Sequence, residues 1–209
     1  MLSRKDLSAI QRDLSEFDRA RETVLDLSRT ATRMASSSIL EIHRGNLRAA
    51  NSTIEQAEKT LHEIEKQSVE IPELRGSNGV LVAFQEYVEA IALRKVARDE
   101  GIVTIAESKA DYRSYMLGLL DAIGEFRRMA LNSLRRGEVD KAEKLLDAME
   151  GIYDDLQTLE HTSIVPTFRV KMDVARRIIE TTRGDVVTEV RRFSLEQALD
   201  RLGKKLDDS

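Results

Sequence analysis

Two short patterns of acidic residues are the strongest candidates for chemistry in this chain. Glu86 and Glu89 stand three apart in the stretch LVAFQEYVEAIALRKVARDE, and Asp121 and Glu125 stand four apart in a second apolar stretch. Either spacing puts its pair on one face of a helix. At roughly 100° per residue, Val82, Glu86, Glu89 and Leu93 gather within about a 60° arc, opposite Leu81, Phe84, Val88 and Ile91. Carboxylates in line with aliphatic side chains describe a helix covered on both sides, with its acids facing a cavity. In the second stretch Met116, Leu119, Ile123, Phe126, Ala130 and Leu134 form the core face, and Leu117, Asp121, Gly124, Glu125, Arg128 and Asn132 the other. If the two polar faces meet, four carboxylates converge, and their mutual repulsion would protonate some of them without compensation. Mg²⁺, with Mn²⁺ as a substitute, resolves this because it prefers carboxylate and water oxygens. Two such ions about 3.5–4 Å apart can hold a scissile phosphate, activate a water and stabilise the leaving oxygen. Gly124 leaves room for a backbone or phosphate to approach, and Arg128 can offset charge or touch a phosphate. The alternative is bland: the chain holds 37 acidic residues, and acid pairs at helical spacing mostly belong to solvated faces.

The elements that must position these pairs are helical. Leu7, Ile10, Leu14, Phe17, Val24, Leu27, Ala31, Met34, Ile39 and Ile42 recur every three or four residues. They predict a first helix from Leu2 to about Ile42, stopped by Gly45 in a left-handed cap. That length suits a scaffold or inter-subunit role. A second helix is predicted over Leu47–Gln67, with Ile54, Ala57, Leu61 and Ile64 as its stripe. The segment SVEIPELRGSNG reads as a loop with one short turn. Further helices are expected over Val80–Asp99, Asp111–Arg136, Glu138–Glu160, from Pro166 to Arg183 with Gly184 as its stop, and over Val187–Leu202. The fold class is therefore all-α, a seven-helix antiparallel bundle in a single domain spanning residues 1–209.

Composition agrees. Charged residues make up 33% of the 209-residue chain, aromatics only 4%, and Pro occurs twice, as amphipathic helices require and an all-β fold does not. There is no Cys, which excludes disulfides and thiolate metal sites. No apolar run approaches the roughly 20 residues needed to cross a bilayer, and the charged N-terminus lacks the apolar core of a signal peptide. A soluble cytoplasmic protein without a membrane partner is the expectation. The net charge of −4 argues against general nucleic-acid binding but leaves room for a local basic patch.

A family resemblance sharpens this reading. The segment FQEYVEAI at 84–91 resembles that of translin-associated factor X, the catalytic branch of the translin family. Tyr115, Gly118, Asp121, Gly124, Glu125, Arg128, Met129, Asn132, Ser133, Gly137 and Asp140 continue the match, and Leu27, Ser28, Arg29, His43 and Arg44 reproduce its first-helix spacing. The resemblance implies a seven-helix fold that assembles into an octameric shell with RNA inside. In the active branch, carboxylates at the positions of Glu86, Glu89, Asp121 and Glu125 hold Mg²⁺ and cut single-stranded RNA. The branch that only binds single-stranded RNA or DNA lacks the helix-three glutamates and the helix-four aspartate, and it is the alternative reading. Two departures stand out. Ser36 and Ser37 replace a Lys-Arg pair of the family, and the connector over Gly101–Ala110 is short, as in a compact, prokaryotic version that forms homo-oligomers or pairs with a translin-like paralogue.

Arg29, Arg33, His43 and Arg44 are the RNA-contact candidates, together with Arg128. Arg29 and Arg33, four apart, share a helix face, and guanidinium suits bidentate phosphate contact; surface ion pairs are the alternative role for each, and a packed structural role for His43. With few aromatics, recognition should rest on phosphate and shape, with strong salt dependence. Tyr87 and Tyr115 suit a buried structural role better than base stacking.

Overall fold

The computed structural model describes residues 2–159 and 162–207. Every regular element among them is a helix: α1 (Arg4–His43), α2 (Leu47–Glu70), α3 (Pro72–Arg75), α4 (Asn78–Ala97), α5 (Ile105–Ser108), α6 (Tyr112–Leu134), α7 (Val139–Gln157) and α8 (Phe168–Asp207), with one 3₁₀ turn over Thr162–Ile164. The chain divides into two compact units, Met1–Gly118 and Leu119–Ser209.

In the first unit α1, α2 and α4 pack on one another. Ser3 starts α1 with a capping box, its hydroxyl accepting from the Asp6 N–H while the Asp6 carboxylate accepts from the Ser3 N–H, so two otherwise orphaned donors are satisfied. Gly45 ends the helix at φ +80, a left-handed conformation that glycine adopts without steric cost. From Val24 onward α1 buries Val24, Ala31, Ala35, Ile39 and Ile42. Its first half continues the same stripe, yet Leu7, Ile10, Leu14 and Phe17 are exposed. Helix α4 is apolar nearly all round and buries Val80, Ala83, Phe84, Tyr87, Val88, Ala90, Ile91, Ala92 and Leu93, as its unusual pattern of aliphatics on both sides predicts. The start of α6 is fastened to it. Ser114 Oγ donates to the Leu81 carbonyl at 3.0 Å, and Asp111 Oδ1 accepts from the N–H groups of Arg113 and Ser114.

Gly118 completes that contact. A Cβ added there would lie 2.5 Å from the Gln85 carbonyl oxygen and 2.8 Å from Val88 Cβ, so only glycine lets α6 lie this close to α4. The connector folds as α5, capped by a second box between Thr104 and Glu107. Lys95 Nζ anchors it to α4 through Glu107 at 2.5 Å.

In the second unit α7 packs on α8. Leu145, Met149, Ile152 and Leu156 of α7 and Ala175, Ile179 and Val186 of α8 are buried, as are Leu119, Ile123, Phe126 and Ala130 of α6. Arg127 ties α6 to α8 by donating to Thr182 Oγ1 at 2.8 Å and pairing with Asp185 at 3.1 Å.

Three differences from the sequence reading have physical causes. The expected sixth and seventh helices are one, because α8 runs through Gly184. A mid-helix glycine costs about 1 kcal/mol relative to alanine, and the burial of Ile179, Thr182 and Val186 on either side of it outweighs that cost. In the Gly101–Ala110 connector a single-turn helix, α5, forms because its capping box satisfies first-turn donors, whereas α3 is the one short turn expected in SVEIPELRGSNG. Helix α8 also begins at Phe168, two residues after Pro166, because Thr167 sits in the left-handed region at φ 65. Glu160, the expected end of the fifth helix, lies outside the described residues.

Candidate active site

The first carboxylate pair is held by α4. Glu86 and Glu89 are each half-buried, on a helix whose other positions are mostly closed to water. Glu86 Oε2 accepts a hydrogen bond from Ser36 Oγ of α1 at 3.1 Å. Ser36 was not among the residues singled out for a site role. It stands 50 positions away in sequence, and nothing in helical spacing reveals such a partner.

Ser36 also connects the pair to the arginines. On α1, Arg29, Arg33 and Ser36 fall within about a 60° arc at 100° per residue, and all three are exposed. Arg33 and Ser36 are about 4.5 Å apart along the axis and Arg29 about 6 Å further. The stripe thus leads two guanidinium groups toward the hydroxyl that holds Glu86. Arg29 pairs with Asp26 at 3.2 Å and Arg33 Nη2 donates to Thr30 Oγ1 at 3.2 Å. Exposed pairs of this kind hold their partners weakly, by less than about 1 kcal/mol, so both arginines remain available to a polyanion. The end of α1 is used differently. Arg44 pairs with Glu41 at 2.8 Å, and Glu41 also accepts from Asn46 Nδ2 at 3.0 Å, a clasp across the helix terminus. His43, the last residue of α1, is half-buried.

The second pair is held by α6. The side chains of Asp121 and Glu125 are 26% and 25% exposed, far less than solvated surface acids such as Asp26 at 78%. Each has a cation beside it. Arg128 approaches Glu125 at 3.7 Å. Lys171, near the start of α8, forms a close ion pair with Asp121. Lys171 too was beyond sequence reasoning, again 50 positions distant. No Cβ at Gly124 would meet another atom within 4 Å, so the surface between the two acids is open.

Neither tyrosine is a stacking platform. Tyr87 is buried, and burial followed by the nearby Glu58 carboxylate pushes its hydroxyl up to about 12. Tyr115 donates its hydroxyl to the Val103 carbonyl at 2.8 Å. Among the described residues no three His, Asp or Glu side chains stand close enough together to hold one metal ion. The donor set itself is all carboxylate, the class that Mg²⁺ and Mn²⁺ select over softer metals.

Comparison with known proteins gives these features a family. The translin family model matches residues 18–181, which contain both carboxylate pairs, the arginine stripe and Lys171. The chain belongs to the translin family. An uncharacterized protein of Methanocaldococcus jannaschii is 30% identical over 198 residues, covering 90% of this chain and 85% of its relative. Among solved structures, a complex of AfC3PO with duplex RNA superposes with a TM-score of 0.81 at 30% identity, over 90% of this chain and 97% of the other. AfC3PO in a second crystal structure gives 0.79 at 31% identity, over 90% and 98%. Apo-NeC3PO shares the fold, with a TM-score of 0.79 at 22% identity, over 90% and 98%. The all-α translin fold expected from the sequence is therefore the fold of this chain. No helix among the described residues is long and apolar enough to cross a membrane.

Proposed function

We propose that this translin-family chain is an Mg²⁺-dependent endoribonuclease of the translin-associated factor X type, cutting single-stranded RNA. The observation that carries the reading is the condition of its four matching acids. Glu86, Glu89, Asp121 and Glu125 are half-buried on two largely apolar helices rather than solvated. Family relatives solved under the C3PO name, one of them holding duplex RNA, support RNA as the ligand. The fit of an all-oxygen donor set to Mg²⁺ supports the cofactor. When bound, the cation supplies charge for the phosphate and a water of lowered pKa.

The chain's own residues carry the rest of the work. Arg29 and Arg33 bind the strand through its phosphates, leading it along α1 toward Glu86. Ser36 fixes the orientation of Glu86 by donating to one carboxylate oxygen, leaving the other free to ligate. Asp121 and Glu125 would offer carboxylate oxygens to the cation, and Arg128 balances Glu125 and would offer a guanidinium to a phosphate. The assembly reading, a homo-oligomer of the octameric translin type, is supported by two exposed apolar stripes at helical spacing. One comprises Leu7, Ile10, Leu14 and Phe17 of α1, the other Leu195, Leu199, Leu202 and Leu206 of α8.

A second reading, binding without cleavage, is favoured by the ion pairs of Asp121 and Glu125 with Lys171 and Arg128, since acids already balanced by cations do not need a metal. One assay separates the two. Single-stranded RNA is incubated with wild type, Glu89→Ala and Asp121→Asn, in Mg²⁺ and in EDTA. The nuclease reading expects cleavage by wild type in Mg²⁺ only, and loss in both variants with their helical content intact. Full cleavage in EDTA, or retention of RNA without turnover in Mg²⁺ or Mn²⁺, refutes it. Whether the two pairs serve the same ions is tested by the Glu89→Gln and Asp121→Asn double variant. Its loss of Mn²⁺ affinity should fall short of the sum of the single losses if the ligands are shared.

A further inference from the structure

We infer that the uncovered first half of α1 in one copy and the uncovered second half of α8 in another wind together as a two-stranded coiled coil, and that copies of this chain join through that contact. The inference rests on the assembly reading above and deepens it by naming which surface meets which. Three observations carry it. The first is exposure over a long run. Every residue from 2 to 19 is exposed, as is every described side chain from 191 to 206, so about 24 Å of each helix stands open to solvent. Isolated helices of that length are marginal in water, because helical stability in proteins comes mainly from packing an amphipathic face.

The second observation is the pattern. Leu7, Ile10, Leu14 and Phe17 follow one another at steps of three, four and three, and Leu195, Leu199, Leu202 and Leu206 at four, three and four. Both are the spacing of the a and d positions of a heptad. The stripes match in length, about 15 and 17 Å, and all eight side chains keep between 38% and 70% of their surface open.

Charge decides the pairing. The positions flanking the α1 stripe are Arg4, Asp6, Gln11, Asp13, Asp18 and Ala20, three acids against one base, so two α1 stripes would set acid against acid. The α8 stripe is entered through Arg191 and Arg192, and the acid beside it, Glu196, is already paired with Arg192 at 3.3 Å. Two α8 stripes would therefore set arginine against arginine, whereas α1 against α8 joins opposite signs. Flanking charges of this kind set partner choice in coiled coils. Asp13 and Asp18 are held only by exposed arginines at 3.6 and 3.7 Å, pairs loose enough to exchange. Each copy carries one stripe of each kind, so both are used when the contacts close on themselves around a symmetric assembly.

The chain has no cysteine, so the test places its own. Two forms of the full chain are co-expressed, one with Ile10→Cys or Leu14→Cys, the other with Leu199→Cys or Leu202→Cys. The four combinations sample the register that a disulfide demands. After oxidation, linked peptides are identified by mass spectrometry and the assembly is sized by light scattering. The expected result is a disulfide between α1 of one copy and α8 of another in at least one combination, in excess over α1–α1 and α8–α8 links. Asp13→Arg with Asp18→Arg, and separately Arg191→Glu, should each raise the concentration at which the assembly half-dissociates by about tenfold through like-charge contact. The triple variant should return it toward wild type, a recovery that loss of helix cannot produce. A wild type that stays monomeric overturns the assembly reading itself. A wild type that assembles without an α1–α8 link in any combination, or without recovery in the triple variant, overturns only this pairing.

Discussion

Replacing Gly118 by alanine places a methyl group 2.5 Å from the Gln85 carbonyl oxygen and 2.8 Å from Val88 Cβ. The oxygen belongs to the backbone of α4 and cannot swing aside, so α6 must move outward or bend. Overpacking of this kind costs about 1–3 kcal/mol, and with a backbone obstacle the upper half of that range applies. Alanine regains about 1 kcal/mol of helix propensity, leaving a net destabilisation of about 1–2 kcal/mol from those two terms. Gly124, six residues further along the same helix, is the internal control. A Cβ there meets nothing within 4 Å, so Gly124→Ala should stabilise by up to about 1 kcal/mol through propensity alone. Urea unfolding followed by far-UV circular dichroism measures both. The two substitutions are chemically identical and lie on one helix, so the opposite signs isolate packing from propensity. Equal stabilisation by both would show that α6 does not press on α4 at Gly118, and the account of that contact would fail.

Three other outcomes are expected. Hydrogen bonds from Lys95, then from the Thr104 N–H and hydroxyl, hold the Glu107 carboxyl down at about 2 from an ordinary 4.5. A depressed carboxylate contributes stability that is complete above about 4.5 and is lost as pH falls toward 2. Amide exchange over residues 104–109, corrected for intrinsic rates, should therefore accelerate across that window in wild type. In Lys95→Met the same window should change it much less. Phe126 has no exposed surface, and Phe126→Ala should cost about 3–5 kcal/mol through the cavity it leaves, read as a fall in the urea midpoint. Arg29→Gln with Arg33→Gln should reduce the slope of log K against log salt for single-stranded RNA by about 1.4, two phosphate contacts; an unchanged slope removes the α1 stripe from the interface.

What was legible in the sequence is what helical periodicity encodes. The third predicted helix, Val80–Asp99, is α4 shifted by two residues, and the fourth, Asp111–Arg136, contains α6. Gly45 occupies the left-handed position its placement suggested, and Gly137, just past the end of α6, is left-handed as well. The half-burial of Glu86 and Glu89 follows from the same arithmetic, because aliphatic residues flank them on their own arc. Gly184 was misread because its local preference is small beside the burial of Thr182 and Val186, which only the folded chain reveals. Ser36 and Lys171 were missed for a different reason. Periodicity says which face of a helix is covered, but not which residue of another helix covers it, and both partners lie 50 positions away.

That distinction bears on why these acids are present at all. An apolar helix such as α4 would be better packed with leucine or alanine at 86 and 89, since half-buried carboxylates lose part of their hydration and need hydrogen-bonding or charged partners in its place. The chain supplies such partners case by case, a hydroxyl for Glu86, a lysine for Asp121 and an arginine for Glu125. Two of these come from other helices, and one sits at the disfavoured end of its own helix dipole. Local rules are thus broken at three points on two helices, and departures of that kind concentrate where a protein acts rather than where it is merely held together. Glutamine at 86 and asparagine at 121 keep shape and hydrogen bonding while relieving the charge. Such a chain should be no less folded than wild type, which makes the acids useful to something other than the fold.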